Sequence, residues 1–177
     1  QFGKQCVAWK YCEEFATTSV EYERYWSLPD PPTAEAVDHG TNFEKEAVEE
    51  YMKVSKRTVL NMGLIKHKCF EFIGASPDGL SLSSETEPIG LEIKCPFNAF
   101  EGKSELSDEA IKRYTGQTQL VMHVMDVKSL DFVQYNPAIK EDSHERLLIL
   151  PVHRDPNFVT NNIDTFENFM LSVELRK

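Results

Sequence analysis

Residues 74–96, GASPDGLSLSSETEPIGLEIKCP, constrain this chain more than any other stretch. A β-prone run, 69–75, leads into SPDG, where proline fixes φ and glycine accepts φ > 0, so a turn is predicted there. The segment IGLEIKCP (89–96) alternates in character and stops at a proline, so it reads as a strand. Period 2 then places Glu92 and Lys94 on one face and Ile93 on the other. If the two strands pair, Asp78 comes near Glu92. Two close carboxylates repel, which raises the pKa of at least one unless a cation intervenes. A hard cation such as Mg²⁺ resolves that conflict, because it takes carboxylate and carbonyl oxygens and keeps several waters. The Ile93 carbonyl is a further candidate ligand, and Lys94 could orient a water for attack on a phosphodiester. Each piece also has an ordinary explanation. SPDG alone is a common turn, and E-x-K on a strand is commonly an exposed pair.

The flanking sequence predicts helices around this hairpin. From Asn42 to about Ser55, Phe43, Ala47, Tyr51 and Val54 recur at helical spacing. Glu44 lies near that helix start, where it could reach the same site directly or through water, although the helix dipole accounts for it equally well. His39 precedes a glycine in a predicted loop. Ser107 offers an N-cap to a helix running through Ile111, Tyr114, Thr118, Val121 and Met125. Gln117 shares a face with Tyr114 and could hold the lysine or a water by hydrogen bonds. Two strands, SLDFVQYNP and ERLLILPVHRD, and an amphipathic helix from 157 onward complete the chain. Residues 4–26 are helical in pattern, and SLPDPPT (27–33) breaks that helix, so residues 1–38 read as a helical extension and proline-rich loop on a single domain, 1–177.

At 177 residues and 41% hydrophobic the chain can bury one core, and its 11% aromatic content argues against disorder. A formal charge of −10 taken alone disfavours a nucleic-acid partner. Lysine and arginine nonetheless cluster at Lys53, Lys56 and Arg57, at Lys66 and Lys68 beside His67, and at Lys112 and Arg113. Carboxylates gathered to hold cations would also lower the count without repelling phosphate once loaded. Cys6, Cys12, Cys69 and Cys95 show neither zinc-ligand nor iron–sulfur spacing and read as reduced thiols. No apolar run reaches transmembrane length and no signal segment opens the chain, so an intracellular protein, neither secreted nor membrane-bound, is expected. The chain opens abruptly within a helical pattern, as one would whose first residues lie upstream.

Five stretches, HGTNFEKEA (39–47), GASPDGL (74–80), GLEIKCPF (90–97), YTGQTQLVMHVM (114–125) and FVQYNP (132–137), resemble the phage lambda exonuclease and YqaJ-like viral recombinase family, a branch of the PD-(D/E)XK nucleases. The resemblance covers about residues 39–153. It implies an α/β, restriction-endonuclease-like αβββαβ core with a mixed central sheet flanked by helices. It implies that Asp78, Glu92 and the Ile93 carbonyl bind metal, that Lys94 is the catalytic lysine, that Gln117 is the motif glutamine, and that Glu44 is the helix glutamate. Ser76, Tyr114 and Gln119 are the expected nucleic-acid contacts. The implied activity is Mg²⁺-dependent exonuclease digestion of linear duplex DNA from a 5′ end, with Mn²⁺ as a substitute, serving recombination or replication of a virus or mobile element. The implied partners are double-stranded DNA ends, a single-strand annealing protein and two further copies in a ring-shaped homotrimer, in the host nucleus or cytoplasm. An endonuclease on the same fold and a non-catalytic DNA-binding or assembly module are the alternatives.

Overall fold

A computed structural model describes residues 34–95, 108–140, 143 and 145–174. The expected helix at 4–26, the breaker at 27–33 and the Ser107 cap lie outside the described residues. Helix α1 spans Ala34–Ser55, followed by strands β1 (Thr58–Leu60), β2 (Ile65–Lys66), β3 (Gly74–Ala75), β4 (Gly79–Leu82) and β5 (Ile89–Lys94). Helix α2 (Asp108–Met125), strands β6 (Ser129–Tyr135) and β7 (Leu147–His153) and helix α3 (Phe158–Glu174) complete it. The main sheet has the order β1-β4-β5-β6-β7, and β2 and β3 form a separate two-stranded sheet. Every pairing in the main sheet is antiparallel except β5 with β6, so the sheet is mixed. A parallel pair needs a long crossover, and α2 supplies it. The run α1, β1, β4, β5, α2, β6 is the expected αβββαβ core.

Burial divides the sheet into two faces. Ala47 and Tyr51 of α1 pack on Leu91, Ile93, Val133 and Tyr135. On the opposite face Leu120, Val121, Met122 and Val124 of α2 and Val159 of α3 cover Leu130 and Phe132, with the β2–β3 pair beside them. Each face buries enough apolar side chain to fix its helix, at about 1.5–3 kcal/mol per large residue.

Several local expectations are corrected. Helix α1 begins at Ala34, so His39 and Gly40 lie within it rather than in a loop. Its apolar stripe ends at Tyr51, because Val54 is 57% exposed. The helix stops where Lys56 adopts φ 59°, with the Lys56 N–H donating to the Met52 carbonyl at 3.1 Å. Of the β-prone run 69–75 only Gly74–Ala75 is strand. The amides of Cys69 and Phe70 turn back onto His67 Nδ1 at 3.1 and 3.3 Å instead. Strands β1 and β2, three and two residues long, carry too little period to be seen in sequence.

Candidate active site

The site forms where β4 begins, alongside β5. Gly79 and Leu91 are the last register partners of that pair. Gly79 is part of β4 and not a left-handed turn residue, which corrects the reading of SPDG as tight-turn chemistry. Its glycine answers a need for space: a Cβ there would meet Val59 Cγ1 of β1 at 2.5 Å. Carried two residues further, the register would set Pro77 opposite Ile93. Proline has no N–H to donate, so the ladder cannot continue. Asp78 takes over, its Oδ2 accepting the Ile93 N–H at 2.6 Å. The N–H and C=O of one strand residue point to the same side, so the Ile93 carbonyl lies on the Asp78 side, where Pro77 has no N–H to offer it.

On the α2 face of β5, Glu92 is completely buried and Lys94 only 9% exposed. The E-x-K pair is therefore no solvated surface pair. Lys94 Nζ donates to Glu92 Oε1 at 2.5 Å, and Gln117 Nε2 of α2 donates to the same oxygen at 2.6 Å. The other oxygen, Glu92 Oε2, is buried with no hydrogen-bond partner among the described residues. An orphaned carboxylate oxygen inside a protein is costly, and such a site asks for a ligand. The Lys94 ammonium also lies 5.2 Å from the centroid of the Tyr114 ring, and that ring packs on Phe132 at 5.3 Å.

The electrostatics follow from this crowding. Burial, with Asp78 and Glu44 adding to it, pushes Glu92 up to about 7 against the pull of Lys94. Burial likewise raises Asp78, opposed by Lys94 and the Ile93 N–H. Burial works against the Lys94 ammonium, but Glu92 and Asp78 more than offset it and hold its pKa above the usual lysine value. Glu44 stands at the rim, exposed but raised by partial burial and by Asp78. Burial, then Glu44 and Asp78, push the Cys95 thiol to about 12, so it stays protonated and offers no nucleophile.

Asp78, Glu92, Lys94 and Gln117 therefore converge, with Glu44 within their electrostatic reach. Among the described residues no three His, Cys, Asp or Glu side chains gather as a ready cation cage. The available set is two carboxylates and one carbonyl, which suits an ion that keeps waters in its shell. The Glu92 oxygen left without a partner among the described residues, beside the Asp78 carboxylate, fits a hard divalent cation.

A model of the YqaJ-like viral recombinase domain matches residues 10–128. The chain belongs to this family. The match spans Glu44, Asp78, Glu92, Lys94, Tyr114 and Gln117. Among solved structures, the YqaJ-like chain is similar in fold to LHK-Exo, an alkaline exonuclease from Laribacter hongkongensis: 22% identity, 90% of this chain and 82% of that one covered, TM-score 0.67. A second structure of LHK-Exo, in complex with dAMP, matches with 22% identity, 92% and 84% coverage and TM-score 0.67. A phage-related exonuclease from Haemophilus somnus 129PT matches at 14% identity, 95% and 80% coverage and TM-score 0.57. No curated protein matches the chain.

Two glutamines depart from expectation. Gln119, expected at nucleic acid, is buried with both amide ends engaged: Nε2 donates to the His153 carbonyl at 2.8 Å and Oε1 accepts the Asp155 N–H at 2.7 Å. It ties α2 to the β7–α3 connection and does not join the cluster. Gln134, not singled out in sequence, is buried directly opposite Lys94 in the β5–β6 register, on the face shared with Phe132. A polar residue at the end of the otherwise apolar Phe-Val run was its only sequence signal. Ser76 is exposed two residues before Asp78. Three members of the basic clusters have partners away from the site. Lys53 pairs with Glu50 at 3.1 Å and Lys68 with Asp126 at 2.9 Å, while Arg57 clasps the β4–β5 hairpin through Ser81.

Proposed function

We propose that this chain is a divalent-cation-dependent exonuclease that digests linear duplex DNA from its 5′ ends, in recombination or replication of a virus or mobile element. The observation that carries this reading is the fully buried Glu92, whose Oε1 is held by Lys94 and Gln117 while Oε2 has no partner among the described residues. Family membership and the likeness in fold to two exonucleases support it, as does the dAMP held by one of them. Asp78, Glu92 Oε2 and the Ile93 carbonyl would hold Mg²⁺, or Mn²⁺ in its place. Such an ion, when bound, neutralises the carboxylates and polarises a phosphodiester and water.

The chain's own residues do the rest. Lys94 stays an ammonium, so it acts as a hydrogen-bond donor and not as a base. It holds the attacking water or the charge that develops on the phosphoryl oxygens as water oxygen bonds to phosphorus and the P–O bond to the leaving sugar breaks. Gln117 fixes the Glu92 carboxylate, so that Oε2 keeps one orientation. Glu44, at the rim, orients water. Ser76, exposed beside Asp78, is placed to donate to a DNA phosphate. The family resemblance further supports a homotrimer around the duplex, a single-strand annealing partner and a site of action in the host nucleus or cytoplasm.

The test uses linear duplex labelled at its 5′ or 3′ ends, with and without Mg²⁺, beside closed circular DNA. Release of the 5′ label first, only with Mg²⁺, and an intact circle are expected. Linearised circles would move the assignment to an endonuclease. Absence of digestion together with absence of divalent-ion binding would leave a non-catalytic DNA-binding module.

A further inference from the structure

We propose that Tyr114 is a positioning residue that fixes the Lys94 ammonium with the face of its ring, a role that rests on Lys94 being the reactive lysine. A lysine head sits on four rotatable carbons, so its orientation depends on the groups packed around it. The Tyr114 ring centroid lies 5.2 Å from Lys94 Nζ, within the range where a ring quadrupole holds a cation. The attraction is strongest where water is excluded, and Lys94 is only 9% exposed.

Tyr114 lies one turn before Gln117 on α2. One helix face thus delivers a contact to each member of the pair: Gln117 to the Glu92 carboxylate, Tyr114 to the Lys94 ammonium. The ring is itself held by Phe132 at 5.3 Å, and Phe132 is the register partner of Glu92. Sheet and helix therefore fix the ring before any substrate arrives. Tyr114, an expected nucleic-acid contact, thus also has its ring against Lys94 and Phe132.

The test compares Tyr114→Phe, Tyr114→Leu and Lys94→Ala with the full wild-type chain. Turnover and KM are measured on linear duplex with Mg²⁺, and duplex affinity in Ca²⁺. Tyr114→Leu is expected to lower kcat about 10- to 30-fold, with KM and affinity unchanged within about twofold. Tyr114→Phe keeps the ring and is expected to stay within about twofold of wild type. Equal losses in both variants would assign the role to the hydroxyl and overturn the proposal. So would a change in KM or affinity at constant kcat, or undiminished turnover in Tyr114→Leu. A readout independent of activity comes from ¹³C-lysine-labelled protein, with Lys94 assigned by Lys94→Arg. Its side-chain signal should be ring-current shifted upfield in wild type and Tyr114→Phe, and an unshifted signal overturns the geometry even where Tyr114→Leu fails to fold. Undiminished digestion by Lys94→Ala would instead remove the underlying reading of Lys94, while the ring-current shift still reports the contact.

Discussion

Replacing Glu92 by glutamine in metal-free protein isolates the cost of a buried, incompletely partnered carboxylate. In the folded chain Glu92 titrates near 7, against 4.5 when exposed. A folded-state pKa that is raised gives stability below the unfolded value, and that stability is lost as pH rises through the folded value. Each unit is worth about 1.4 kcal/mol. Wild-type stability should therefore fall by roughly 2.5 kcal/mol from this group between pH 5 and pH 8. Glutamine mimics the protonated form and removes that slope, whatever it does to packing. The comparison is thus one of slopes: urea denaturation in EDTA across this pH range, wild type against Glu92→Gln. Stability of the variant relative to wild type should grow by about 2–3 kcal/mol toward pH 8. Excess Mg²⁺ should restore wild type at pH 8 and leave Glu92→Gln unmoved, because a ligand stabilises only the state that binds it. Parallel pH curves in EDTA would refute the claim that Glu92 is held against its own ionisation.

Three further substitutions test the frame around the site. Gly79→Ala should destabilise the chain by about 1–3 kcal/mol in chemical denaturation, since its Cβ would meet Val59 Cγ1 at 2.5 Å. Tyr51→Phe should cost about 1–2 kcal/mol, because the Tyr51 hydroxyl donates to Asp131 Oδ2 at 2.7 Å and meets Ser81 Oγ at 2.9 Å inside the α1–sheet contact. Gln134→Leu should leave the melting temperature within a few degrees and lower duplex digestion at least about tenfold, if the amide opposite Lys94 helps hold the ammonium.

The fold was legible where the period was long. Helices α1, α2 and α3 carried their stripes over several turns, and β5 declared its two faces through Glu92, Ile93 and Lys94. What sequence could not supply was the environment of those charges. An E-x-K strand reads as solvated, because Gln117, which helps to bury Glu92, lies 25 residues away on another element. The same distance hid the bracket made by Gln119, whose partners stand 34 and 36 residues on. The glycine of SPDG had a turn explanation close at hand. Its actual reason, the approach of β1, depends on a three-residue strand with no pattern of its own. Gln134 escaped notice because a parallel register partner is set by a crossover and not by a local turn.

Calorimetric titration with Mg²⁺, on wild type, Glu92→Gln and Asp78→Asn at pH 8, addresses the centre of this account most directly. Saturable binding in wild type is expected, with that heat lost in both variants although each remains folded. Equal binding in all three proteins would place the ion elsewhere and separate the carboxylates at 78 and 92 from the chemistry.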